Sequence, residues 1–219
     1  SETITTYDQQ VLYDTVAGNE IPDVDEASLV NDWDDLKIYW THLSEVISRT
    51  FNGDYSWTGT KIRYEYNTSD QGGTYESEQF GNLTRQIESY WDGSAWVDYS
   101  AIKTNYYPNK SIHVTSLPAR KRTISCSAQC DIGNDSVVAD TLYIYDSNTT
   151  YDEMPTVGYL KHIRDWVSGN DYVQVSYDYE YGNITTQTIY TDYATDSQTP
   201  YCGGQRTNIL YDYEYGTYP

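Results

Sequence analysis

From Val173 onward, apolar and aromatic residues fall on every second position: Val173, Val175, Tyr177, Tyr179 and Tyr181 alternate with Gln174, Ser176, Asp178 and Glu180. A period of two is that of a β-strand, so the pattern predicts one apolar, aromatic face and one wet face. The same alternation sets Ile62, Tyr64 and Tyr66 against Lys61, Arg63 and Glu65, and Ile209, Tyr211, Tyr213 and Tyr215 against Leu210, Asp212 and Glu214. Tyr143 and Tyr145 repeat it in "TLYIYD". One stretch runs at another period. Leu29, Trp33, Leu36, Trp40, Leu43 and Ile47 are spaced as on an amphipathic helix, yet "KIYWTHLSEVISRTF" is rich in β-branched and aromatic residues. The reading is a short helix near 26–32 within an otherwise extended, acidic N-terminal segment, 1–35, and strands from 36 to 219.

Turn residues sit where hairpins need them. Asn52-Gly53, Asp92-Gly93 and Ser168-Gly169-Asn170 each follow a strand-like run, and Asn-Gly and Asp-Gly suit the positive φ angles of two-residue type I′ turns. At least three antiparallel hairpins are predicted. A wider connection spans "TDYATDSQTPYCGGQ", where Pro200 and Gly203-Gly204 interrupt any strand. The fold class that follows is all-β, an array of antiparallel hairpins.

The array has an internal repeat. "YDYEYGNIT" at 177–185, "YDYEYGTYP" at 211–219, and "IRYEY" at 62–66 followed by "FGNLT" at 80–84 are versions of one unit. Such a unit buries its apolar face only by stacking on its neighbours. Its residues are Tyr177, Asp178, Tyr179, Tyr181, Gly182, Asn183 and Thr185 in one copy, Gly81, Asn82 and Thr84 in another, and Tyr211, Asp212, Tyr213, Tyr215 and Gly216 in a third that reads as an incomplete repeat. Gly81 and Gly182 take positive φ at no steric cost and turn the chain into the next strand.

These units resemble the Rhs/YD-repeat family, whose copies read roughly Tyr-x-Tyr-Asp and then Gly-Asn-x-Thr. "VSYDYEYGNITTQT" at 175–188 carries that pattern and "FGNLTRQIE" at 80–88 its second half; "TNYYPNKSIHVTSLPARKRTISC" and "PTVGYLKHIRDWVSG" look like degenerate units. The resemblance covers most of the chain from Leu36 onward. It implies β-hairpin strips that wind into hollow shells in bacterial toxin complexes, surface proteins and teneurin-like adhesion receptors, with an enclosed cargo domain and no catalysis by the strands. No Asp-Pro dipeptide occurs, so the self-cleaving segment of some members is carried over to no residue here.

Composition narrows the partners. With 13 Lys and Arg against 33 Asp and Glu, the formal net charge is −20, which repels nucleic acid and anionic membrane surfaces. With 26 Tyr and 6 Trp against 2 Phe, what is buried is amphipathic rings. No apolar run is long enough for a transmembrane helix, so no membrane insertion is expected. Cys126 and Cys130 in "CSAQC" can close a small disulfide loop, leaving Cys202 unpaired within the chain; reduced thiols are the alternative. Candidate glycosylation sequons start at Asn67, Asn82, Asn109, Asn134, Asn148 and Asn183, and with the cysteines they favour an extracellular or cell-surface location.

No catalytic constellation stands out. Asp23, Asp25, Glu26, Asp32, Asp34 and Asp35 lack the spacing and central Gly of an EF-hand, so a solvated loop outranks a Ca²⁺ site. His42, His113 and His162 stand apart from each other and from Cys at zinc-like spacing. No enzyme, metal or cofactor is expected. The functional expectation is a structural segment whose partners are neighbouring repeats of the same or an identical polypeptide. The alternative is an adhesion or carbohydrate-binding module that uses Tyr90, Trp91, Trp96 and Tyr99 around the Asp92-Gly93 turn to stack on glycans; cross-strand pairing is the plainer role for those rings.

Overall fold

A computed structural model describes residues 1–13, 38–52, 56–66, 81–127, 130, 136–190, 194–195 and 206–211. The predicted helix near 26–32, the acidic groups from Asp23 to Asp35, Asn67, Asn134, Cys202 and the repeat residues Asp212, Tyr213, Tyr215 and Gly216 lie outside the described residues.

The described chain is all antiparallel β apart from a single 3₁₀ turn at Lys110–Ile112. Its strands are β1 (Glu2–Tyr13), β2 (Ile38–Phe51), β3 (Trp57–Tyr66), β4 (Leu83–Trp91), β5 (Trp96–Tyr106), β6 (Pro118–Ser125), β7 (Ser136–Tyr145), β8 (Leu160–Ser168), β9 (Asp171–Glu180), β10 (Asn183–Tyr190), β11 (Ala194–Thr195) and β12 (Arg206–Leu210). Of the stretch with helical spacing, the described part from Ile38 is strand, running to Phe51. Its Ile, Val, Thr and aromatic side chains suit a pleated surface better than a helix turn, so propensity overrides the period there.

Two compact units form, the first from Ser1–Ala101 with Cys126–Cys130, the second from Ile102–Ser125 with Asp131–Pro219. Within each, apart from β11, strands consecutive in sequence are neighbours in the sheet. Unit 1 runs β1-β2-β3-β4 into the first half of β5; unit 2 runs from the second half of β5 through β6-β7-β8-β9-β10 to β12, with β11 pairing back on β9.

The hairpins use several turn chemistries. Between β9 and β10 only Tyr181 and Gly182 turn the chain, with φ of 51° and 86°, the sign pattern of a type I′ turn. Gly81, in the earlier copy, also has positive φ, 64°. Between β8 and β9 the loop is Gly169-Asn170, with positive φ at Gly169 alone. The Asp92-Gly93 site is a longer loop than the two-residue turn expected. Asp92 through Ala95 link the strands, the Asp92 carboxylate accepts the N–H groups of Ser94 and Ala95, and those bonds hold its pKa below the usual range. After Asn52, too, the loop is wider: Asn52 N–H donates to the Ser56 carbonyl, four residues on.

β9 corrects the expected face. Tyr177 and Tyr179 are half-buried while Asp178 and Glu180 are exposed, but Tyr181 leaves the strand for the turn and is 84% exposed. A type I′ turn takes two residues, and Tyr181 is one of them. Nearer the start of β9 the deeper face is the other one: Tyr172 and Gln174 are buried, and Val173 and Val175 only half-buried. Register explains this, because Gln174 pairs with Arg164, which pairs with Leu142, and Leu142 and Ile144 are fully buried on that face. Tyr143 and Tyr145 differ as well. A register shift after Ile144 turns Tyr145 inward, where its hydroxyl donates to the Pro118 carbonyl, while Tyr143 is half-buried.

Candidate functional site

The aromatic hairpin ends of unit 1 are the nearest approach to a binding site, and their rings divide between two faces. On one face Trp57 stacks on Trp91 with centroids 4.6 Å apart, and Trp96 lies 5.6 Å from Trp91 and 5.8 Å from Trp57. Arg49 sits over Trp57 at 4.7 Å and Lys61 over Trp96 at 5.1 Å. Cations and neighbouring indoles thus cover ring faces that a glycan would need. Gly59 makes the packing fit: a Cβ there would come 2.6 Å from the Ser48 carbonyl oxygen and 3.2 Å from the Trp57 ring.

On the opposite face Tyr90 and Tyr99 are both exposed, with centroids 6.2 Å apart, and Tyr99 donates its hydroxyl to Glu88. Burial raises the Tyr99 phenol first, and the carboxylate adds to the rise. The four rings expected to form one platform therefore form two sets. Trp57 and Arg49 were missed because period-two reading shows a ring's own strand but not its cross-strand neighbour.

The tryptophan face carries on as an ion-pair lattice. Glu2 meets Arg49, Glu45 meets Lys61, Arg63 meets Glu65 and Asp98, and Arg85 meets Glu65. The strand face predicted to be wet is thus half-covered by its own charged side chains, whose aliphatic stems pack along the sheet. Cys126 and Cys130 are bonded, with Cα atoms 4.9 Å apart. The Cys130 carbonyl accepts from Arg85 and the Cys126 N–H donates to the Tyr99 carbonyl, so both ends of the loop are pinned to unit 1.

In unit 2 the charge lies deeper. Asp140 is buried and accepts two hydrogen bonds from Arg120 Nε, at 2.9 and 3.1 Å, a further one from its Nη2, and one from Tyr172. Burial pulls the Arg120 guanidinium down, but the hydrogen bonds and charge of Asp140 outweigh it and hold the group above its ordinary value. Arg164, 1% exposed, donates to Gln174 at 2.8 Å. Between β7 and β8 the Asp146 carboxylate collects the N–H groups of Thr156, Val157, Gly158 and Tyr159. Burial works to raise its pKa, and those four donors together hold it lower.

No family model, curated protein or solved structure matches this chain.

The described sequons differ sharply. Asn82 is 6% exposed. Asn109 donates its side-chain amide to the Pro155 carbonyl and accepts from Ser111, and Asn148 donates to the carbonyls of Glu153 and Met154. Asn183 is exposed at the start of β10. Thr84 is buried, its hydroxyl donating to the Glu65 carbonyl, and Thr185 donates to the Asp178 carbonyl. Tyr211 donates its backbone N–H to the Thr185 carbonyl and its hydroxyl to Gln187, joining the last described residue to β10. His42 packs edge-on to Tyr66 with centroids 4.5 Å apart, and His113 takes a positive φ of 58° beside the 3₁₀ turn. Among the described residues no cluster of three His, Cys, Asp or Glu is placed to hold a metal ion, and no helix is long and apolar enough to cross a membrane.

Proposed function

We propose that this chain is a non-catalytic structural segment of a larger secreted or cell-surface β-strip protein of YD-repeat type, contributing wall to a shell or fibre. The observation that carries the reading is the order of the strands. In each unit, β11 apart, each strand follows the last in both sequence and sheet, and the repeat residues Tyr181-Gly182 and Gly81 stand at turns with positive φ. A meander extends by adding hairpins and has no need of a crossover, which is what a strip requires. Neighbouring repeats of the same or an identical polypeptide are its natural partners, and an enclosed cargo domain fits a closed shell.

The test is electron microscopy of the native polypeptide after limited proteolysis. A protease-resistant β particle that retains this segment is the expected result; a freely released 25.2 kDa monomer that leaves no particle behind would overturn the proposal.

A second reading, glycan adhesion, is favoured only by the exposed Tyr90 and Tyr99 pair beside Glu88. A glycan array separates the two readings: binding abolished by Tyr90→Ala supports adhesion, and a blank array removes it.

A further inference from the structure

We infer that His162 is the acid-sensitive end of a one-way hydrogen-bond chain across β8 and β9, a latch that holds the unit 2 sheet while the imidazole is neutral and weakens it on protonation. Direction comes from chemistry at the far end. Arg164 has donors and no acceptor, so its Nε, 2.8 Å from Gln174 Oε1, fixes which way the Gln174 amide faces. Gln174 Nε2 must then donate, and it lies 2.8 Å from Ser176 Oγ. The Ser176 hydroxyl, having accepted that bond, spends its own proton on His162 Nδ1, 2.8 Å away. Gln174 Nε2 also approaches Nδ1, at 3.4 Å. Both groups facing Nδ1 thus have a proton to offer it, the arrangement that suits an accepting Nδ1 and a neutral ring with its proton on Nε2.

The surroundings oppose an imidazolium. On β8 itself Arg164 and Lys161 are cations. From β7, Ile144 pairs in register and is fully buried, flanked by the neutral phenols Tyr143 and Tyr145. From β9, beyond Ser176 and Gln174, Asp178 is the one anion facing the ring among the described residues, and it is already bonded to Lys161. Burial first, then the charges of Arg164 and Lys161, hold His162 down at about 4 against an ordinary 6.5, with Asp178 pulling the other way. A base whose pKa is lower in the fold than in the unfolded chain binds more protons when unfolded. Its contribution to stability is therefore complete above pH 6.5 and is lost as the pH falls from there toward 4. Protonation has a structural consequence too, because Ser176 must rotate to accept from Nδ1, giving up its own donor role at the β8–β9 seam.

The experiment is ¹⁵N imidazole NMR on the full chain through a pH titration, paired with urea unfolding beside His162→Asn, which keeps an acceptor near the Nδ1 position without a titrating ring. At pH 7 the expected result is the Nε2–H tautomer, with a titration midpoint well below 6.5. Between pH 7.5 and 5 the folded-to-unfolded ratio of the parent falls on the order of tenfold further than that of the variant. An Nδ1–H tautomer, a midpoint at or above 6.5, or the same loss in both proteins overturns the latch. If His162→Asn does not fold, Gln174→Glu decides. It keeps an acceptor for Arg164 but turns a carboxylate toward the ring, so the His162 midpoint rises above that of the parent; an unchanged midpoint overturns the proposal.

Discussion

Unit 1 spreads its charged side chains, 12–39% exposed in these pairs, as a lattice on one sheet face and packs three indoles together at its hairpin ends. Unit 2 buries Asp140 and Arg164 beside fully buried Leu142 and Ile144, and ties them to Tyr172 and Gln174. Both are meanders with the same strand alternation, so the difference lies in where charge is placed. Partly exposed lattice pairs are individually worth little and are screened by salt, whereas the pair at Asp140 is costly to break because it satisfies a carboxylate that is 4% exposed and is made through several charge-assisted hydrogen bonds. Unit 1 thus gains from many weak contacts, and unit 2 depends on a few strong ones.

The largest test of that contrast removes one side of the buried pair. Asp140→Ala takes the carboxylate from Arg120, leaving the guanidinium only Tyr151 and partial solvent, and should destabilise unit 2 by about 3 kcal/mol in urea unfolding. A loss no larger than that of a unit 1 lattice pair would show that the burial of Asp140 carries no special weight. Next comes the apolar part of the same core: Leu142→Ala removes a side chain with no exposed surface and should cost about 3 kcal/mol or somewhat less if Tyr151, Trp166 and Tyr190 close in on the gap.

In unit 1, reducing the Cys126–Cys130 disulfide frees a five-residue loop, for which chain entropy predicts about 2 kcal/mol. Amide exchange should rise around Arg85 and Tyr99, which the two ends of the loop contact, with unit 2 unaffected. The smallest effect is that of Lys61→Ala, which removes an ion pair with Glu45 and a cation over Trp96; under about 1 kcal/mol is expected, shrinking in 1 M NaCl. Persistence of the whole effect in high salt would mean that the Lys61 stem, and not its charge, holds the indole.

The fold class, the strand at Ile38–Phe51, the turn at Gly182 and the Cys126–Cys130 bond were legible because each is a local matter: period, turn geometry and a four-residue separation, whereas Tyr181 was read as strand and is part of the turn. The tryptophan cluster was half legible. Trp91 and Trp96 flank a visible turn, but Trp57 reaches them from β3, at a position fixed by the register of a different hairpin. The Arg164, Gln174, Ser176 and His162 chain gave no sign in the sequence, since a polar residue at an alternating position is the mark of a wet face until the partner strands are known.

The sequence by itself determined that this chain forms antiparallel strands joined by turns near Gly93, Gly169 and Gly182, because side-chain alternation and positive-φ residues act over a few positions; the length of the Asp92–Ala95 loop was settled by the fold. Only the tertiary structure decided which face of each strand is covered. Period two divides a strand into two faces without saying which is which, and Gln174 is inside because Arg164 and Leu142, from β8 and β7, meet it there.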